Sequence, residues 1–129
     1  MEHFLVLTDD IDKTKDFYCD ALGMQAGFRP ELEFPGYWVY LGDVPAVHIA
    51  DHRAYIDWTK AVGIPISGGP PGTGALDHIA FNAEDFDTVK SSLEKKGYEL
   101  SCNILSDIGL KQIFLADPNG LGIELNFRE

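Results

Sequence analysis

Leu76-Asp77-His78-Ile79-Ala80-Phe81 decides how the chain is read, because His3-Phe4-Leu5-Val6-Leu7 repeats its plan 75 residues earlier. Both runs have strand-like composition with a histidine near the start. Each leads into an acidic helix start, Asp9-Asp10-Ile11-Asp12 in the first and Glu84-Asp85-Phe86-Asp87 in the second. An amphipathic stretch follows in both. Phe17, Tyr18, Ala21 and Leu22 share one face before Gly23, and Phe86, Val89 and Leu93 recur at helical spacing before Gly97. The same offset carries Ile11 onto Phe86 and Asp12 onto Asp87. A repeat of this period marks two copies of one supersecondary unit, so the chain is read as an internal duplication.

Each copy reads as strand, helix and three further strands. The later strands are placed at 24–29, 37–41 and 46–50 in the first copy, and at 98–103, 110–116 and 122–127 in the second. That gives an α+β chain of two βαβββ repeats, unit one over 1–51 and unit two over 75–129, joined by a connector over 52–74. Within the connector, Tyr55, Trp58 and Val62 stand at helical spacing and predict a short helix over 53–62. Gly68-Gly69-Pro70-Pro71-Gly72-Thr73-Gly74 is a linker or lid. It is not a phosphate loop, because no strand directly precedes it and no lysine with serine or threonine follows.

At 129 residues with 45% apolar and 12% aromatic content, the chain is one domain's worth, and two half-units sharing a core fit it better than two independent domains. The apolar runs fall well short of the roughly 18 residues that a bilayer-spanning helix needs, and no leader pattern opens the sequence. A soluble cytoplasmic protein is therefore expected. A net charge of −11 with only ten lysines and arginines argues against a nucleic-acid binder, which needs cations arrayed along phosphates. Cys19 and Cys102 lack the spacing of a zinc knuckle or redox pair and are expected to be free thiols. The Asp9, Asp10 and Asp12 run, like Asp85 and Asp87, suits helix capping and lacks the glycine and spacing of a calcium loop.

Four residues carry the chemistry. His3, His48, His78 and Glu124 each interrupt an apolar, strand-like segment. The offset takes His48 to Ile123, one residue short of Glu124. Because a turn easily gains a residue, His48 and Glu124 are read as equivalent positions on the last strand of each unit. Alternation places Glu124 and Asn126 opposite Ile123, Leu125 and Phe127, so the carboxylate faces water or a polar cavity. Any one of these histidines alone is more simply a hydrogen-bonded structural residue. Three imidazoles and a carboxylate at repeat-related positions together point to a divalent metal site.

The His3 strand, Phe17-Tyr18-Cys19-Asp20-Ala21-Leu22-Gly23-Met24, Leu76-Asp77-His78-Ile79-Ala80-Phe81 and Asp117-Pro118-Asn119-Gly120-Leu121-Gly122-Ile123-Glu124-Leu125 together resemble the vicinal oxygen chelate superfamily. Its members include glyoxalases, fosfomycin-resistance proteins, bleomycin-binding proteins, methylmalonyl-CoA epimerases and type I extradiol dioxygenases. The resemblance covers the whole chain. It implies a cupped, mostly antiparallel sheet from each unit, closing around a metal. It assigns His3, His78 and Glu124 to the usual ligands and His48 to an optional fourth. It also implies a homodimer whose site draws His3 and His48 from one subunit and His78 and Glu124 from the other.

Two histidines and a carboxylate form the ligand set of non-haem iron(II) oxygenases. An extradiol dioxygenase-like reaction with Fe2+ on a small substrate bearing vicinal oxygens is therefore the first expectation, with His48 as acid or base. Glyoxalases usually carry a carboxylate or amide where this chain has His48. A glyoxalase-like isomerase, lyase or epimerase using Mn2+, Ni2+ or Zn2+ stands as the alternative. A metal-free, antibiotic-binding protein is a third reading, although such proteins have commonly lost the ligand residues. Phe28, Trp38, Tyr40 and Gln112 are candidate pocket residues, with Gln112 orienting an oxygen; each aromatic has a plain packing role as well. Lys111 and Arg53 are possible partners for an anionic substrate, and both read more simply as solvated surface.

Overall fold

The computed structural model describes residues 2–63, 76 and 78–129, so the glycine- and proline-rich run at 68–74 lies outside the described residues. The chain divides into two compact units, Met1–Gly72 and Thr73–Glu129.

The first unit runs β1 (Phe4–Thr8), α1 (Ile11–Leu22), β2 (Gln25–Ala26), β3 (Gly36–Leu41), β4 (Val44–Asp51) and α2 (His52–Val62). The Asp10 side chain starts α1 by accepting the Lys13 N–H at 2.9 Å, and Gly23 ends it in the left-handed conformation at φ 67°. That conformation suits glycine, and it turns the Gly23 N–H back onto the Tyr18 carbonyl. The helix buries Thr14, Phe17 and Tyr18 and packs on β2, β3 and β4. Val39, Val47 and Ile49 form the sheet's part of this core, each at most 1% exposed. Strand order is β1-β4-β3-β2, with β1 parallel to β4 and the other pairs antiparallel.

The second unit runs β5 (His78–Ala83), α3 (Phe86–Lys95), β6 (Ser101–Leu105), a 3-10 turn at Ser106–Ile108, β7 (Leu110–Ala116) and β8 (Gly122–Arg128). Its order, β5-β8-β7-β6, repeats the first unit's topology. Leu93 of α3 is buried, as are Ile113, Leu115, Ile123, Leu125 and Phe127 of the sheet. Phe86 meets the Phe127 ring edge-on at 5.4 Å. Buried Asp117 closes the β7–β8 connection: its Oδ1 accepts the N–H groups of Asn119 at 2.7 Å and Leu121 at 2.9 Å.

Register makes the duplication quantitative. Leu5 stands opposite His48, and Ala80, 75 residues after Leu5, stands opposite Glu124. His48 and Glu124 therefore occupy the same place in their units although they are 76 apart. The extra residue enters before β3, because Trp38 pairs with His48 just as Phe114 pairs with Glu124. Three expected boundaries move. His3 lies one residue before β1 rather than inside it, β2 keeps only Gln25–Ala26 of the expected 24–29, and β6 begins at Ser101 rather than 98. Both shifted strands lie at a sheet edge, where a strand has one neighbour and its sequence pattern is weakly constrained.

Candidate metal centre

The residues singled out from sequence are brought together in two pairs, one in each unit. Among the described residues no three His, Cys, Asp or Glu side chains form a group that could hold an ion.

In the first unit, His3 enters β1 and His48 lies on β4. Their rings stack 3.8 Å apart with planes 10° from parallel. Trp38 covers the other face of His48 at 4.1 Å and 9°. His48 Nε2 is buried and has no hydrogen-bond partner. Burial lowers the His48 pKa, and the neighbouring His3 adds to the effect. The Arg29 charge acts in the same direction, while a hydrogen bond to the Pro45 backbone and the Glu2 carboxylate oppose it. A neutral imidazole protonated at Nδ1 would leave the enclosed Nε2 with an unpartnered lone pair.

In the second unit, His78 at the start of β5 meets Glu124 of β8, Nε2 to Oε2, at 3.3 Å. The other carboxylate oxygen accepts from Gln112 Nε2 at 2.9 Å. Gln112 also donates to Asn126 Oδ1 at 2.9 Å and accepts from Asn103 Nδ2 at 3.1 Å. A row of amides across β6, β7 and β8 thus fixes the Glu124 carboxylate. The Glu124 side chain is 15% exposed against 49% for His78, so the carboxylate is held inside and the imidazole stands at the surface.

The His78–Glu124 pair has the spacing of two donors to one divalent ion. Two ligand atoms each ~2.1 Å from one ion stand ~3.0–3.4 Å apart for bond angles between a right angle and the tetrahedral value, and the His78–Glu124 separation falls in that window. A hydrogen bond donated by an amide to the distal carboxylate oxygen is also how metal-binding carboxylates are oriented.

The remaining candidates are placed as follows. Trp38 lies against His48. The Tyr40 hydroxyl donates to the Phe28 carbonyl at 2.7 Å, while the Phe28 ring is 76% exposed. Lys111 pairs with Glu129 at 3.4 Å and sits over the Phe86 ring, and Arg53 is exposed. Cys19 and Cys102 are free thiols. Sequence reading passed over Arg29, which donates from Nη2 to the Phe34 carbonyl at 2.7 Å and has a buried, unpartnered Nε. An arginine between Phe28 and Pro30 in a loop with two glutamates gives no periodic signal, and only the fold shows that it turns inward.

No curated protein matches the chain significantly. Among solved structures, it is similar to a lactoylglutathione lyase from Agrobacterium tumefaciens at 18% identity and TM-score 0.72, over 98% of this chain and 92% of that one. It is similar to TnmS3, an antibiotic binding protein from Streptomyces sp. CB03234, at 23% identity and TM-score 0.70, over 100% and 95%. A genomically encoded fosfomycin resistance protein, FosX, from Listeria monocytogenes gives 14% identity and TM-score 0.70 over 100% and 93%. These likenesses establish the fold and leave the reaction open. A family model, Glyoxalase/Bleomycin resistance protein/Dioxygenase superfamily, matches residues 1–125, nearly the whole chain, and the protein belongs to that superfamily.

Proposed function

We propose that this protein is a metal-dependent, dioxygenase-like enzyme that cleaves a small aromatic substrate bearing vicinal oxygens. In this reading His3, His78 and Glu124 hold the ion and His48 acts as the acid and base. The complete ligand set forms in a homodimer, His3 and His48 coming from one subunit and His78 and Glu124 from its partner.

The observation that carries this reading is the parallel stack of His3 and His48. An imidazole binds a metal along the lone pair in its own ring plane. Rings stacked this closely aim their lone pairs side by side rather than at a common point, which favours one of the two, rather than both, as a ligand. With His3 as that ligand, His3, His78 and Glu124 would supply two histidines and one carboxylate, the set associated with iron(II) oxygenases, and His48 would stand off the ion. Bound iron(II) would supply the redox chemistry of oxygen insertion.

The chain's own residues do the rest. Neutral His48, its Nε2 buried and unpartnered until a substrate hydroxyl reaches it, would accept the proton of that hydroxyl and later return it. Trp38 and His3 clamp the His48 ring, so Nε2 keeps one direction. Gln112, anchored by Asn103 and Asn126, holds one oxygen of Glu124 and leaves the other for the ion. Anaerobic reconstitution with iron(II), followed by substituted catechols and oxygen, should yield a yellow ring-fission product. Inactivity across a broad catechol panel, with turnover of the methylglyoxal–glutathione adduct in nickel or zinc, would replace this reading with the isomerase one.

A further inference from the structure

Arg29 has no catalytic or metal role in the reading above, yet its charge reaches His48 and its Nη2 approaches Gly36 of β3. Gly36 stands opposite Ala50 on β4, two residues along β3 from Trp38. In the second unit Gln112 stands opposite Asn126, two residues from Phe114. Gly36 and Gln112 are thus equivalent positions. The Gln112 side chain reaches Glu124, the counterpart of His48. In the first unit Gly36 has no side chain to reach His48, the direction of a Cβ there being closed by the Ile49 carbonyl at 2.0 Å, and Arg29 comes in from the loop before β3. Its Nη2 lies 3.2 Å from where a Gly36 Cβ would stand.

The guanidinium lies over the Phe34 ring at 5.2 Å and gives one hydrogen bond to the Phe34 carbonyl. Among the described residues no carboxylate pairs with it. Burial lowers its pKa with no acidic neighbour to offset the effect, and its charge is felt at His48. In a chain of net charge −11, a half-buried arginine paired with no described carboxylate has its charge available to an anion. Planar guanidinium favours carboxylate, which it can grip through paired N–H groups. Trp38 on the same strand and the exposed ring of Phe28, next in sequence, offer aromatic surface.

We propose that Arg29 is a substrate-specificity residue that binds a carboxylate, so the natural substrate is a carboxylated aromatic with vicinal oxygens. This rests on the first unit's His48 end being the substrate site, but it can be tested without turnover. Salicylate and its neutral isostere salicylamide would be titrated into the purified protein by calorimetry, with and without added zinc. Wild-type protein should bind salicylate at least ~10-fold tighter than salicylamide, as expected for a charge-assisted pair. Arg29→Gln keeps a donor for the Phe34 carbonyl and removes the charge; it should lose that preference while its salicylamide affinity stays put, and Arg29→Lys should recover part of it. Equal binding of the two probes by the wild type, or binding of neither, overturns the proposal, as does an unchanged preference in Arg29→Gln. Should Arg29→Gln not fold, the wild-type comparison still decides. A preference for salicylate without any ring cleavage in the catechol panel would sink the dioxygenase reading and leave this one standing.

Discussion

His48 is held between two parallel rings with its Nε2 unpartnered, and that arrangement separates two roles a histidine can take near an ion. If it acts as a base off the metal, His48→Gln should retain the wild-type metal content, measured by elemental analysis, while turnover drops ~10²–10⁴-fold. Glu124→Gln should instead lose the ion. Loss of metal from His48→Gln would make His48 a ligand and remove the proton-transfer role. A pH effect follows from the same burial. The folded protein holds His48 below the ordinary histidine pKa, so as pH falls the unfolded chain takes up this proton first. Stability at this residue is therefore fully present above ~6.5 and is lost as pH drops through and below that value. Urea midpoints of metal-free protein at pH 7.5 and 5.5 should show the fall, and His48→Phe, which keeps a ring in the stack, should show a smaller one.

At the scale of elements, β3 depends on a glycine at its first residue. An added Cβ at Gly36 would stand 2.0 Å from the Ile49 carbonyl and 3.2 Å from Arg29, and backbone cannot yield as a side chain tip can. Gly36→Ala should destabilise the protein by ~1–3 kcal/mol in urea titrations, and a neutral result would mean that β3 can shift without cost. The cap of α1 is an independent case. Asp10→Ala, which removes the acceptor for the Lys13 N–H, should cost ~1 kcal/mol. Elements with strong local signals were legible in the sequence: α1, between its acidic start and Gly23, and β7, whose bounds agree at both ends. The edge strands β2 and β6 were not. Their residues are exposed throughout, so no alternation of buried and open positions marks where pairing stops.

For the whole molecule, the fixed offset made the duplicated βαβββ plan readable, and the shift of one residue between His48 and Glu124 is accounted for by the strand register. The pairs His3–His48 and His78–Glu124 were legible as residue types at repeat-related positions. Their hydrogen-bonding supports, Gln112 with Asn103 and Asn126, span three strands and needed the register to appear together. Arg29 was invisible because its position depends on what Gly36 lacks. The proposed homodimer predicts a mass near twice 14.3 kDa in light scattering. A monomer at micromolar concentration that still binds one ion per chain would rule out the shared site.

The register equivalence of His48 and Glu124 also bears on ancestry. A half-length forebear encoded once would have carried the same residue at that position in every copy. In this chain the two copies differ at that position, one holding a histidine and the other a glutamate, and a glycine in one answers a glutamine in the other. Either half repeated twice would present two histidines or two glutamates there and could not assemble one of each.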